Sequence, residues 1–405
     1  METNPLYTDT LFQFVQDHLQ EDPALLLLKF QGSYNFDLKE AVQQIAARQK
    51  ARTKLPLWTA HPKIIFPVSL SLEQSSSEQT AQYKASMVNG ESLIDLTGGF
   101  GVDAFFMGQK FRRVVYVERQ EKLAEIAAYN FGLLNNDSQK YQVISMDSME
   151  FLKQTDQCFD WLYIDPARRG DNNRKLFRLA DCEPDVGEYW PLLREKANNI
   201  MIKASPMLDI KAVLNELPEL QQVKVLALKN EVKEVLLIWE KEVKASEVKI
   251  SAIDLKEHQE QGYDFTFEEE KNNQITYGIP ETYLVEPNAA IMKAGGFKSF
   301  ALHYGLCKLH PNTHLYTSAQ IPEEIPGRIF KIIQEVKLDK KELKRLFPSG
   351  KVNVIVRNHP LNANELKKKY GLKDGGADFL IATTTMDNKA RAYWCRIGNN
   401  GVNKV

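Results

Sequence analysis

Ser92-Leu93-Ile94-Asp95-Leu96-Thr97-Gly98-Gly99-Phe100-Gly101-Val102-Asp103 decides how this 405-residue chain is read. Leu93, Ile94 and Leu96 surround an acid as in a buried strand, three glycines fall within four positions, and Val102 to Gly108 begins a helix. Gly98, Gly99 and Gly101 let the backbone take conformations closed to other residues and approach a ligand with no side chain in between. The N–H groups at the helix start would face that ligand.

A glycine-rich turn alone is equally a packing turn. Two later features add weight. The next strand, Val114-Val115-Tyr116-Val117, ends in Glu118, an acid placed to accept hydrogen bonds from both hydroxyls of a ribose. A further strand, Trp161-Leu162-Tyr163-Ile164, ends in Asp165-Pro166-Ala167-Arg168-Arg169-Gly170. Open α/β sheets bind ligands at the carboxyl ends of their strands, and all three features fall there.

From Glu91 onward strands alternate with helices: strand 93–96, helix 102–109, strand 113–118, helix 120–134, strand 141–145, a short helix after Asp147, strand 159–164, helix 186–198 and strand 199–203. Crossover helices make such strands parallel in a doubly wound sheet. After a helix around 209–216, strands 222–228 and 234–239 are separated by five residues only, which makes them antiparallel neighbours. The expected fold is α/β, a doubly wound, mostly parallel seven-stranded sheet, with a helical N-terminal domain and small α+β C-terminal domains.

Asp-Leu-Thr-Gly-Gly-Phe-Gly-Val-Asp at 95–103, with Glu118, Asp147 and Asp165-Pro-Ala-Arg, resembles the class I S-adenosylmethionine-dependent methyltransferases. The resemblance is closest to the bacterial group with a C-terminal THUMP-like domain, and the turn is similar to the Thr-Ala-Gly-Leu-Gly-Arg-Asp turn of small-subunit rRNA guanine methyltransferases. It covers about 91–240 and, through the C-terminal module, 328–397. It implies that S-adenosyl-L-methionine is the cofactor, with Gly98, Gly99 and Gly101 making room for its methionine part. Asp95 then organises the turn or the ammonium, Glu118 takes the ribose, and Asp147 meets the adenine amino group; Thr97, Phe100, Asp103, Arg119 and Ser148 complete the set. Asp147 also reads as a helix N-cap, and Glu118 as a surface acid. Asp95 is harder to explain away, because a carboxylate among strand hydrophobics is costly to bury without partners.

The resemblance makes Asp165, Pro166 and Arg168 the catalytic set. Enzymes that methylate exocyclic amines carry Asn/Asp-Pro-Pro and an aromatic here; Ala167 and Arg168 depart from that, so stacking on a base at this position is in doubt, and with it the target atom. Arg168 and Arg169 could instead stack through their guanidinium planes or bind phosphate. Cys182 follows the motif without the neighbours of carbon-5 uracil methyltransferases, which disfavours a nucleophilic cysteine. The charged loop 170–188 reads as a substrate lid. Lys203 could reach the same pocket, and the resemblance makes Ser76, Gln79, Thr80 and Lys84 site-lining, although capping explains the serines as well.

Hydrophobic content of 43% and charged content of 26% fit a soluble globular protein of two or three domains. No run approaches the roughly 18 apolar residues of a membrane span, and the N-terminus lacks a signal peptide's basic start and apolar run. Cys158, Cys182, Cys307 and Cys395 are scattered without zinc or disulfide spacing, which favours a reducing cytoplasm and no metal. Net charge is −1, yet residues 337–405 hold 15 Lys/Arg against 6 Asp/Glu. Such an end is what an RNA-binding module looks like, with Lys367, Lys368 and Lys369 as candidate contacts, or else a solvated surface.

The domains expected are 1–89, helices and connector; 90–245, the methyltransferase sheet; 246–327, a linker hairpin with a small ferredoxin-like α+β segment; and 328–405, a THUMP-like RNA-binding domain. The reading is an enzyme methylating a base in rRNA or tRNA. Its alternatives are a methyltransferase acting on protein or a small molecule, and an RNA-binding protein without turnover. A nicotinamide dehydrogenase is disfavoured, since Gly-Gly-x-Gly lacks Gly-x-Gly-x-x-Gly spacing. Oligomeric state is open.

Overall fold

The computed structural model describes residues 7–30, 32, 34–135, 137, 139–168, 178–256, 260–320 and 324–398. The chain divides into two compact units, Met1–Leu220 with Leu236–Lys244, and Gln221–Val235 with Ala245–Val405.

The first unit opens with six helices: α1 (Asp9–Asp17), α2 (Pro23–Lys29), α3 (Leu38–Ala51), α4 (Pro56–Ala60), α5 (Ser69–Gln74) and α6 (Glu78–Ser86). Thr8, Asp22, Asp37 and Ser77 start four of them by accepting N–H bonds at the N-cap. The residues after α4 are gathered by one buried side chain. Arg48 donates to the carbonyls of His61, Pro62 and Ile64 at 3.1, 2.7 and 2.6 Å, and its burial lowers its pKa to about 10.

Next come β1 (Gly90–Asp95), α7 (Val102–Gly108), β2 (Phe111–Val117), α8 (Glu121–Leu134), β3 (Tyr141–Ile144), α9 (Ser148–Gln154), β4 (Phe159–Ile164), α10 (Val186–Lys196), β5 (Ala197–Ala204) and α11 (Ile210–Glu216). The five strands are parallel in the order β3-β2-β1-β4-β5. Asp95 therefore lies at the end of the central strand, in register with Tyr116 on one side and Tyr163 on the other.

β6 (Gln222–Leu228) and β7 (Glu231–Glu240) are joined by Lys229 and Asn230, both with positive φ (52° and 62°). That is the two-residue turn whose twist suits a hairpin. β8 (Lys249–Leu255) then pairs parallel to β6, and β9 (Glu260–Thr266) antiparallel to β8. The sheet order is β9-β8-β6-β7-β5-β4-β1-β2-β3, nine strands rather than the seven expected. The hairpin read as a linker is the difference. Ile250, Ser251, Ala252, Ile253 and Asp254 are all buried, and their backbone saturates the β6 edge that would otherwise stay open.

The second unit continues with α12 (Phe267–Asn272), β10 (Tyr283–Pro287), α13 (Ala289–Ala294), α14 (Phe297–His303), β11 (Cys307–His310), β12 (Thr313–Ser318), β13 (Gly327–Glu335), α15 (Lys340–Leu346), β14 (Asn353–Arg357), α16 (Ala363–Tyr370), β15 (Asp378–Thr384) and β16 (Ala390–Ile397). Glu286 and Pro287 close β10, and the following helix starts at its Asn288 cap. The strands form a single sheet, β11-β12-β10-β13-β16-β15-β14, so the ferredoxin-like segment and the module after it are fused through the antiparallel pair β10–β13. Leu284, Leu315, Phe330, Ile355, Ile381 and Tyr393 pack in one core of this sheet, and Leu343, Phe347, Leu366, Leu380 and Ala392 in another. No described helix is long and apolar enough to cross a membrane.

Candidate active site

Every element of the site hangs from the carboxyl ends of β1, β2, β4 and β5. Leaving β1, the chain turns over Asp95, whose Oδ1 accepts from Thr97 N at 2.9 Å. Thr97 Oγ1 in turn accepts from Asp165 N at 2.6 Å, which ties the β1 turn to the end of β4. Gly98 N donates to Val117 O at 3.0 Å, and Gly99 N to Glu118 Oε2 at 2.8 Å. The other oxygen of Glu118 accepts from Gln120 N at 2.8 Å. One short hydrogen-bond chain thus brings Asp95, Glu118 and Asp165 to the same rim.

Packing dictates the glycines at two positions. A Cβ on Gly98 would stand 2.2 Å from the Tyr116 ring, whose hydroxyl donates to Gly99 O at 2.7 Å. Gly101 has φ +86°, and a Cβ there would meet Phe131 at 2.7 Å. Phe100, expected against the cofactor, turns its ring into the protein instead. It packs on Trp58 at 4.7 Å and Phe66 at 5.6 Å between ring centroids, locking the turn to the N-terminal helices.

Behind the turn lies a buried ionic network. Asp103 Oδ2 accepts from Ser76 Oγ and Tyr163 Oη, both at 2.7 Å, and Lys84 Nζ stands 3.1 Å from Asp103 Oδ1 and donates to Ser76 Oγ at 3.1 Å. Burial opposes the Asp103 charge, but Lys84, then Lys203, then the Tyr163 and Ser76 hydroxyls outweigh it, and the carboxyl is held below the ordinary range. Lys203, at the end of β5, forms an ion pair with Asp165 Oδ2. Among the described residues Asp95 has no such cation. Burial first, then the charges of Asp103, Asp165 and Glu118, push its carboxyl well above the ordinary range, against a single backbone bond from Thr97.

Among the described residues, Lys84 and Lys203 are the cations that act on Asp95, Asp103, Glu118 and Asp165. The resulting site is short of positive charge, with one carboxyl resisting ionisation. A ligand bearing a sulfonium and an ammonium supplies what is missing, so the residues present fit S-adenosylmethionine.

The remaining residues singled out from the sequence fall less centrally. Asp147 caps α9, accepting from Met149 N and Glu150 N at 2.9 and 3.0 Å; Ser148 beside it is buried. Arg119 leaves the rim to pair with Glu183 at 2.7 Å. Ala167–Arg168 forms a two-residue antiparallel ribbon with Cys182–Glu183, whereas the side chain of Arg168, all of Arg169 and residues to 177 of the loop read as a lid lie outside the described residues. Buried Cys182 directs its thiol to Arg178 O. Thr80 is buried and bonds within its own helix turn, and Gln79 is exposed. Lys367 pairs with Asp374 at 2.7 Å, and Lys368 is exposed. Tyr116 and Tyr163 were not singled out; their signal was a hydroxyl-tipped ring in the buried half of a strand, which needs a partner inside.

Two family models match the second unit: a ferredoxin-like domain over residues 283–326 and a THUMP domain-like family over 327–397. The crystal structure of a provisionally assigned methyltransferase from Porphyromonas gingivalis W83 superposes with a TM-score of 0.87 at 32% identity, covering 96% of this chain and 98% of that one. An uncharacterised S-adenosylmethionine-dependent methyltransferase of Mycobacterium tuberculosis (strain ATCC 25618 / H37Rv) is 22% identical over 339 residues, 80% of this chain and 87% of the relative. An uncharacterised RNA methyltransferase of Mycoplasma mobile is 35% identical over 80 residues, 20% of this chain and 22% of its own length. With near-complete coverage by the first of these, an acid rim that fits the cofactor and a THUMP-like module later in the same chain, the chain belongs to the bacterial S-adenosylmethionine-dependent methyltransferases with a C-terminal THUMP-like domain.

Proposed function

We propose that this enzyme methylates a base in rRNA or tRNA. The observation that carries the reading is the union, in one chain, of the Asp165-Pro166 end of β4 beside the acid rim with a basic THUMP-like module. The local likeness to a relative named an RNA methyltransferase supports it.

When bound, S-adenosylmethionine supplies an electrophilic methyl group. Glu118, both of whose oxygens are already oriented by backbone N–H groups, takes the ribose hydroxyls. Asp95 answers the ligand's positive charge, with Gly98, Gly99 and Gly101 as the wall beside it; Asp147 Oδ2, uncommitted by its capping bonds among the described residues, remains for the adenine amino group. Asp165 holds the acceptor base. With Lys203 on its Oδ2 and its backbone N–H on Thr97, the carboxylate is fixed in one orientation and Oδ1 is left to accept from substrate. A group so held contributes by positioning, which an in-line transfer chiefly requires.

The test is transfer of tritium from methyl-labelled cofactor into RNA from a strain lacking the enzyme, followed by nucleoside mass spectrometry. Label in one nucleoside of rRNA or tRNA is expected; label only in protein or small molecules would overturn the RNA assignment. That second reading draws on Lys367, whose ammonium is engaged by Asp374 rather than offered outward.

A further inference from the structure

Far along the chain from the acid rim, the second sheet holds a charged cluster that methyl transfer does not use. Glu286, at the end of β10, has a side chain only 5% exposed. Arg328, its register partner on β13, donates to Glu286 Oε2 through Nε at 2.8 Å and also through Nη2. Arg357, closing β14, brings Nη2 to 2.5 Å from Oε1 and donates from Nη1 to Val356 O at 2.7 Å. The two guanidinium side chains remain 42% and 40% exposed.

One buried carboxylate needs one cation. A second arginine against it leaves a surplus positive charge, and like charges held this close repel unless an anion joins them. Among the described residues no further acid pairs with either arginine, and Arg328 Nη1 and Arg357 Nε have no acceptor. Two residues beyond Glu286, Asn288 is 4% exposed, and its Nδ2 is a buried donor without a partner. Planar guanidiniums anchored at one edge and open at the other match the oxygens of a phosphate.

We propose that Arg328 and Arg357, set on Glu286 where the ferredoxin-like and THUMP-like segments join, form a phosphate-binding point that grips the backbone of the RNA substrate. This rests on the RNA reading above. Glu286 is the positioning residue: Arg328 donates to its Oε2, Arg357 lies ion-paired against its Oε1, and the pair keeps one net positive charge for a phosphodiester.

The test uses the full chain, bulk bacterial tRNA as probe, and the single variants Arg328→Gln and Arg357→Gln. Each leaves the other arginine on Glu286, so the buried carboxylate keeps a partner. Binding is measured over a range of salt, with cofactor binding by calorimetry as the check that the chain stays folded. Each variant is expected to weaken tRNA about tenfold and to lower the slope of log affinity against log salt by about one, with cofactor affinity unchanged. Arg357→Lys, which keeps the charge and loses the fork, should retain the slope while losing several-fold in affinity; it also keeps the test open if a glutamine variant fails to fold. Wild-type tRNA binding with unaltered affinity and slope in the variants would overturn the site and leave the RNA reading standing. Absence of binding by the wild type to tRNA, and likewise to rRNA used as a second probe, would overturn both. Thermal protection by inorganic phosphate that equals that by tRNA at matched ionic strength would assign the site to a free anion and overturn the RNA-backbone assignment.

Discussion

Lys84→Met probes the buried network on which the glycine turn is seated. Lys84 is fully buried, and its ammonium serves both Asp103 Oδ1 and Ser76 Oγ. Methionine keeps the stem and nearly the volume, so little of the effect comes from a cavity. What changes is the electrostatics: Asp103, itself only 8% exposed, is left with the Tyr163 and Ser76 hydroxyls as direct partners. Removing one member of a buried pair costs about 3–5 kcal/mol, and the two hydroxyls that stay place this case toward the lower figure. Urea unfolding followed by tryptophan fluorescence reads it, since Trp58, Trp161, Trp190 and Trp239 lie in the first unit. The double variant Lys84→Met/Asp103→Asn has no unpaired charge left and is expected to recover most of the loss, because neutral replacement of a whole buried pair is often close to neutral. The acid side gives a second readout. A carboxyl held below its unfolded value stabilises the fold above that value and loses its effect as pH falls through the folded one. Lys84→Met should flatten this acid limb. A cost under about 1 kcal/mol, or two substitutions whose losses simply add, would refute the network as a charge pair.

Asp95 carries the opposite sign. Its raised carboxyl favours the apo fold at low pH and loses that contribution as pH rises through the folded value; a cationic ligand favours the ionised form, so cofactor binding should release a proton and tighten with pH above the ordinary carboxylate range. Calorimetry in two buffers of different ionisation heat measures the proton, and its persistence in Asp95→Asn would contradict the assignment. Gly98→Ala drives a methyl into the Tyr116 ring, which its bond to Gly99 O keeps from swinging away; a loss of about 1–3 kcal/mol and of cofactor binding is expected in the same unfolding and calorimetric assays. Asp165→Ala should abolish transfer in the tritium assay while cofactor affinity stays within about tenfold, or ~1.4 kcal/mol; undiminished turnover would remove Asp165 from the reaction.

The alternation of strands and helices, the turn and the acids at strand ends were legible because each is local: period, glycine spacing and a charge at the end of an apolar run. What was not legible is set by tertiary partners. Lys249–Leu255 alternates like a solvated hairpin, and only the open edge of β6 explains why it is buried. Phe100 is indistinguishable in sequence from a ligand-facing ring until Trp58 and Phe66, some forty residues earlier, arrive against it. Asp147 and Glu118 show the converse: either is a plausible cap or a plausible ligand group, and their geometry gives both a structural bond and a free lone pair.

That double service explains how the site can be rigid and still short of positive charge. The turn is held by backbone N–H groups given to Asp95 and Glu118 and by the Tyr116 hydroxyl on Gly99 O, none of which requires a ligand. On the proposed reading the ionic balance is completed by one, because Lys84 is committed to Asp103 and Lys203 to Asp165, and among the described residues Asp95 remains without a cation of its own. Shape is therefore fixed before binding and charge is completed by it. A ligand that matched the shape but lacked one of the two positive charges, such as the demethylated thioether product, would keep the ammonium and lose the sulfonium. On this balance the product should bind with less proton release than the methyl donor, an electrostatic preference that favours exchange of product for fresh donor.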